Sequence, residues 1–137
     1  MKTLNKIFKI NTDKRYEIVN ITQNVRDVVE ESEIKEGLVL VYPMHTTAGI
    51  FINDVDSSLT EDIVDFMKRL VPDDYDYRHN GPHERNADGH IRQMLAGHNT
   101  TLPVVDGRLF LGTWQTIYYA EYDGQREKEY LIKVIGM

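Results

Sequence analysis

The sequence predicts an α+β fold: a mostly antiparallel β-sheet or sandwich of about eight strands with two to three helices. Three observations lead there. Apolar and polar residues alternate with the two-residue period of strands toward both ends of the chain. The pair Asp106-Gly107 stands between two apolar runs and suits the two-residue type I′ turn of an antiparallel hairpin. Helical stretches are separated by such strand pairs instead of alternating with single strands, which argues against a parallel sheet. With 137 residues, 41% hydrophobic and 28% charged, the chain is expected to form one domain over residues 1–137 with a core of its own.

In order, "NKIFKI" alternates, with Lys6, Phe8 and Ile10 on one face and Ile7 on the other. After the turn signal "NTDK", "RYEIVNI" reads as a second strand. Thr22 is placed to cap a first helix, whose Val25, Val28 and Val29 form one apolar stripe and which should stop before Gly37. "GLVLVYPM" is a nearly continuous apolar run, hence a buried strand, and "AGIFIND" follows as its expected partner. Ser58 and Glu61 have capping-box spacing for a second helix. In it, Leu59, Ile63, Phe66, Met67 and Leu70 recur at helical intervals up to Pro72.

Residues 73–85 carry no apolar periodicity and form a long loop, a kind that is usually functional or disordered. Asn86 can cap a third helix with Ala87, Ile91, Met94 and Leu95 inward and Gly97 at its end. "TLPVVDGRLFLGTW" is the hairpin around Asp106-Gly107. "TIYYAEY", the turn "DGQR" and "EKEYLIKVI" supply the last two strands.

Composition limits the chemistry. There is no cysteine, which removes disulfides, thiolate ligands and thiol nucleophiles. No apolar run approaches the roughly 18–20 residues of a membrane span, and no signal-like h-region opens the chain. A cytoplasmic location without membrane association is therefore expected. The net charge is −6 with dispersed basic residues, which argues against nucleic-acid binding. A phosphorylated small molecule would need local cations or a metal to offset that charge. Phosphate loops of the GxxxxGK[ST] or GxGxxG type and the nucleophile elbow GxSxG are absent.

Histidine carries the remaining signal. "HNGPHERNADGH" holds three of the five histidines. His79 and His83 flank Gly81-Pro82, which forbids the helical pairing of a zincin. His90 falls on the inward face of the third helix, where a buried imidazole must be hydrogen-bonded, metal-bound or catalytic. A satisfied core histidine is the commoner case. His45 ends the buried strand and opens the small-residue run "HTTAG", a typical setting for a site residue. Asp62 borders the second helix's stripe, where complementing the helix dipole is an equal reading. Trp114 reads first as a core residue, Gly112 as a bulge in a strand, and Glu121, near a turn, as solvent-exposed.

The blocks "HTTAGIFIND", "DYRHNGP", "NADGH" and "LPVVDGRLFLGTWQTIYYAEYDG", spanning residues 45–124, resemble the YjbQ family of secondary thiamine-phosphate synthase-like proteins. The chain departs from the family pattern at Asp54, at Gly89 and at His98-Asn99, where serines are usual and where His98 is a candidate cation. The resemblance implies a compact α+β fold, a homotrimer, and a weak thiamine-phosphate synthase activity. In that reaction a hydroxymethylpyrimidine diphosphate alkylates a thiazole phosphate and diphosphate leaves.

It also implies that His45, His79 and His90 form the catalytic site and hold a divalent metal (Zn, Mg or Mn). Thr46, Asn86, Gly112, Trp114, Gln115 and Glu121, in the same blocks, are implied as substrate contacts. Three neutral imidazoles can bind zinc, and nearby carboxylates would favour Mg²⁺ or Mn²⁺ beside a diphosphate leaving group. Two other readings use the same ligands. One is a non-enzymatic metal- or metabolite-binding trimer. The other is a phosphate-ester hydrolase with Glu121 or Asp62 as base.

Overall fold

The computed structural model describes residues 1–137. Its elements are β1 (Lys2–Ile10), β2 (Glu17–Asn20), α1 (Thr22–Ser32), β3 (Gly37–Pro43), β4 (Ala48–Asp54), α2 (Ser57–Leu70), α3 (Ala87–Ala96), β5 (Thr100–Val105), β6 (Arg108–Leu109), β7 (Gln115–Glu121) and β8 (Lys128–Gly136). This is the expected α+β inventory. The strands form a five-stranded sheet, β1-β8-β3-β5-β6, and a three-stranded sheet, β2-β7-β4. Every pairing is antiparallel.

Alternation decides which face each strand buries. Val39 and Val41 of β3 and Tyr130, Ile132 and Val134 of β8 meet Ala48 and Ile50 of β4 and Ile117 and Tyr119 of β7 in one core. The valine stripe of α1, with Val25, Val28 and Val29, completes it. Asp106 and Gly107 both have positive φ, as the type I′ turn demands.

The expected pairing of β3 with β4 is not made. Both edges of β3 are taken, by β8 on one side and β5 on the other. A strand has only two hydrogen-bonding edges, so β4 crosses to the other sheet and pairs with β7. Strands β1 and β2, and β7 and β8, are likewise split between the sheets. The "LFLGTW" half of the predicted hairpin is strand only through Leu109. Gly112 lies in a turn closed by the Gln115 side chain, whose Oε1 accepts the Gly112 N–H at 2.8 Å, and not in a strand bulge.

The helix ends also differ from expectation. Thr22 is the first helical residue, not the cap, and its hydroxyl accepts the Ile117 N–H of β7 at 2.9 Å. Asn20 Oδ1 takes the Thr22 N–H instead. Asp56 caps α2 through the Ser58 N–H, so Ser58 and Glu61 form no capping box. Of the predicted stripe on α2 only Met67 is buried, and Phe66 and Leu70 are exposed.

In α3 the expected inward face holds in part: Ala87 is buried and Ile91 half-buried, but Met94 and Leu95 face outward, and Asp88, Gly89 and Arg92 are buried instead. The cause is close packing. A Cβ on Gly89 would press on the Tyr122 carbonyl, and one on Gly49 of β4 would overlap the Gly97 carbonyl oxygen. Small residues bring the helix backbone down onto β4 and the segment after β7.

That contact fixes α3 and with it His90. Gly49→Ala should cost about 1–3 kcal/mol, because the obstacle is backbone that cannot turn aside. Urea unfolding with an unchanged m-value would measure it.

Candidate functional site

Three crossings between the sheets fall at one end of the sandwich. The register places the end of β1 beside the start of β8, through Ile10 and Lys128, and the end of β3 nearby, through Pro43 and Tyr130. In the other sheet Glu17, Ala48 and Glu121 lie side by side. The connections 11–16, 44–47 and 122–127 therefore cluster, and the loop before α3 joins them. Between them opens a cavity of about 440 Å³ with no hydrophobic lining residue. His45, Thr46 and Thr47 come from one connection, Arg126, Glu127 and Lys128 from another, and His79, Glu84, Asn86 and His90 from the loop and α3.

An ion pair closes the sandwich behind this cavity. Lys128 continues the inward face of Tyr130, Ile132 and Val134, and Glu121 continues that of Ile117 and Tyr119. Their side chains are 3% and 0% exposed and lie 2.5 Å apart. Lys128 also donates to Thr47 Oγ1 at 2.7 Å, and Glu121 accepts from the Tyr119 hydroxyl and the Asp123 N–H, each at 3.2 Å. Burial, reinforced by Glu121, raises the Tyr119 phenol far above its ordinary range, so it stays a donor.

A second polar layer steadies the loop side. Asp88, fully buried, accepts from the Tyr16 hydroxyl at 2.5 Å and from Arg15 at 3.4 Å. Arg92 donates twice to the Val71 carbonyl, and its guanidinium stacks 4.2 Å from the Tyr16 ring centroid. Asn80 Oδ1 accepts the first N–H of α3, at Ala87. Asn86 donates through Nδ2 to Asp123, which also holds Arg126.

The histidines of the cavity are held in opposite senses. His45 Nε2 accepts the backbone N–H of Glu129 at 2.9 Å, so the ring proton is on Nδ1. Burial, followed by the Lys128 charge, lowers the His45 pKa. At neutral pH the ring is an uncharged N–H donor. His79 Nε2 lies 3.2 Å from Asn86 Oδ1. The Asn86 amide is oriented by its bond to Asp123, so its oxygen faces His79, and His79 must donate through Nε2. That leaves the His79 Nδ1 lone pair free, as in metal-ligating histidines whose second nitrogen donates to a fixed acceptor. His90 packs edge-on against His79 with ring centres 4.9 Å apart.

The expected trio thus shares one cavity, but the ligand set does not fit as a trio. His45 commits its Nε2 lone pair to the Glu129 N–H, and no three His, Asp or Glu groups converge on a point. His79 and His90 are in edge-on contact, and Glu84 lines the same cavity.

Thr46 and Asn86 line the cavity as expected. Glu121 is fully buried behind Lys128 and is not solvent-exposed. Gly112, Trp114 and Gln115 lie at the far end of β7, about 20 Å from Glu121 at ~3.3 Å per residue, and Trp114 is exposed and outside the core. His83 is an exposed loop residue. Asp62 is exposed on α2, outside the cavity. His98 is bound through Nε2 to the Pro43 carbonyl and through Nδ1 to Asn99, and it is not among the residues lining the cavity.

Sequence reasoning missed Lys128, Arg126, Thr47 and Glu84. For Lys128 a signal existed: it falls in phase with the inward residues Tyr130, Ile132 and Val134. A lysine on the buried side of a strand needs a partner.

Comparison with known proteins agrees over nearly the whole chain. Residues 6–137 match the family model described as UPF0047 protein YjbQ-like. A UPF0047 protein of Methanocaldococcus jannaschii is 42% identical over 94% of this chain and 92% of its own. The Bacillus subtilis UPF0047 protein YugU is 37% identical over 96% and 98%. Among solved structures, a YbjQ-like protein of unknown function from Sulfolobus solfataricus superposes with a TM-score of 0.95, at 33% identity and 99% coverage of both chains. A YjbQ/UPF0047 protein of Clostridium acetobutylicum gives 0.89 at 35% identity, over 95% and 99%.

The ring assignments are directly measurable. Long-range ¹H–¹⁵N NMR at neutral pH should find His45 protonated at Nδ1 and His79 at Nε2. His45 should titrate below the free imidazole value of about 6.5. Its lowered pKa means that the unfolded chain takes up the proton first, so stability is full above about pH 6.5 and declines as pH falls from there toward the folded-state pKa. A His45 ring protonated at Nε2 would contradict the geometry.

Proposed function

The chain belongs to the YjbQ-like UPF0047 family, and on that premise we propose that it is a thiamine-phosphate synthase of low turnover. The substrates would be hydroxymethylpyrimidine diphosphate and a thiazole phosphate, with diphosphate as the leaving group. The observation that carries this reading is the polar cavity itself. It gathers three histidines, Lys128 and Arg126 in an otherwise acidic protein. Two phosphorylated reactants need such a concentration of donors.

His79 and His90 would contribute ligands to a divalent ion, Zn, Mg or Mn. That ion would offset the charge of the diphosphate. His45, a donor, serves the substrate instead, beside Thr46 and Asn86. For Gly112, Trp114 and Gln115 to bind substrate they must come from a neighbouring copy. A homotrimer is proposed accordingly. The outer face of the five-stranded sheet leaves Ile7, Leu38 and Tyr42 uncovered, and Phe66, Leu70, Met94 and Leu95 are exposed on the helices. Light scattering should give three times the 15.9 kDa chain mass; a monomer would refute the assembly.

One observation favours the alternative of a metabolite-binding trimer without turnover. The cavity lining has no hydrophobic side chain on which a pyrimidine or thiazole ring could stack. The same fact suits a phosphate-ester hydrolase that grips only the phosphate.

Purified protein should join the two precursors. His45→Ala, His79→Ala and His90→Ala should each lower the rate about 10²-fold or more while remaining folded. Variants as active as the parent would end the synthase reading, and phosphate release from simple esters would support the hydrolase.

A further inference from the structure

We infer that the inner wall of the cavity is a metal-independent cradle for a tetrahedral oxyanion, the phosphate group of a phosphorylated ligand, formed by His45, Thr47 and Lys128. The inference deepens the proposed function, because it assigns the ligand's phosphate to one wall and leaves His79 and His90 to another.

Counting donors leads to it. An ammonium carries three N–H groups. Lys128 gives one to Thr47 Oγ1 and one to Glu121 Oε2. The third has no protein acceptor, and Lys128 lines the cavity with only 3% of its side chain exposed. Thr47 is itself buried, and its hydroxyl already accepts from Lys128, so its own proton must be donated elsewhere. His45 is saturated at Nε2 by the Glu129 amide, its Nδ1–H has no protein acceptor, and the ring lines the cavity.

The donors are held in place: His45 is tied to the Glu129 backbone amide of β8, and the Lys128 ammonium is fixed between Thr47 and Glu121. Fixed donors lose little freedom on binding, which is the condition for a strong oxyanion site.

Charge is arranged to match. Glu121 neutralises Lys128 while the cradle is empty, so no unpaired buried ammonium is left. Arg126 is occupied by Asp123 and contributes field more than contact. Glu84 and Glu127 also line the cavity and oppose a multiply charged anion. The cradle therefore suits a terminal phosphate seated beside Lys128, away from those carboxylates.

The test uses the full chain treated with chelator, with inorganic phosphate and diphosphate as probes in calorimetry. Binding at one per chain should persist without metal. His45→Phe, which keeps a ring but no donor, should weaken it about tenfold or more. Lys128→Met strands Glu121 and risks misfolding, so Glu121→Gln with Lys128→Met, removed as a unit and checked by circular dichroism, should abolish it. His83→Ala, a change at an exposed loop residue outside the cavity lining, should leave metal-free phosphate binding within about twofold.

Loss of phosphate binding on metal removal, or unchanged binding in His45→Phe and the double variant, would overturn the cradle. The two readings fail separately. Metal-free phosphate binding without synthase activity keeps the cradle and removes the synthase, and turnover in a protein that binds no phosphate without metal does the reverse.

Discussion

Lys128 and Glu121 lie where two sheets would otherwise end open to solvent, and the site is arranged around their contact. Each stands one step beyond the last apolar residue on the inward face of its strand. Removing one member of such a buried pair costs about 3–5 kcal/mol, because the survivor is left as an uncompensated charge. The pair joins β7 to β8 across the sandwich, holds Thr47 of the β3–β4 crossing, and puts the Glu129 amide in reach of His45. A change at this contact would reach three of the cavity's side chains together.

Around it the polar groups form two layers with different tasks. The inner layer, with Tyr119, Thr47 and His45, satisfies the ion pair and faces the cavity. The outer layer, with Tyr16, Arg15, Asp88 and Arg92, anchors α3 and the long loop. The buried face of α3 carries a networked aspartate and arginine, while Met94 and Leu95 point outward. His79 and His90 are carried by this outer layer and His45 by the inner one. That division explains why the three rings share a cavity yet present different atoms to it.

The orientation of each ring matters more than its presence. A histidine that accepts from the backbone offers a proton to a ligand, and one that donates to an amide oxygen offers a lone pair. His45 is the first kind and His79 the second. The rings of one cavity thus differ in what they offer: an N–H donor at His45 and a lone pair at His79.

The sequence by itself determined the α+β class, the number and order of elements, the Asp106-Gly107 turn, and five cavity residues: His45, Thr46, His79, Asn86 and His90. These follow from local rules, periodicity, turn chemistry and motif resemblance, which act within a few residues. Only the tertiary structure decided that β3 and β4 part to different sheets, since alternation tells which face a strand buries but not which edge it shares. It alone buried Glu121 against Lys128, turned Met94 outward, moved Trp114 to the far end of β7, and set the proton on the His45 and His79 rings. Those outcomes depend on partners from 7 to 84 residues away. No pattern along the chain encodes a contact whose two halves are brought together only by the crossing of sheets.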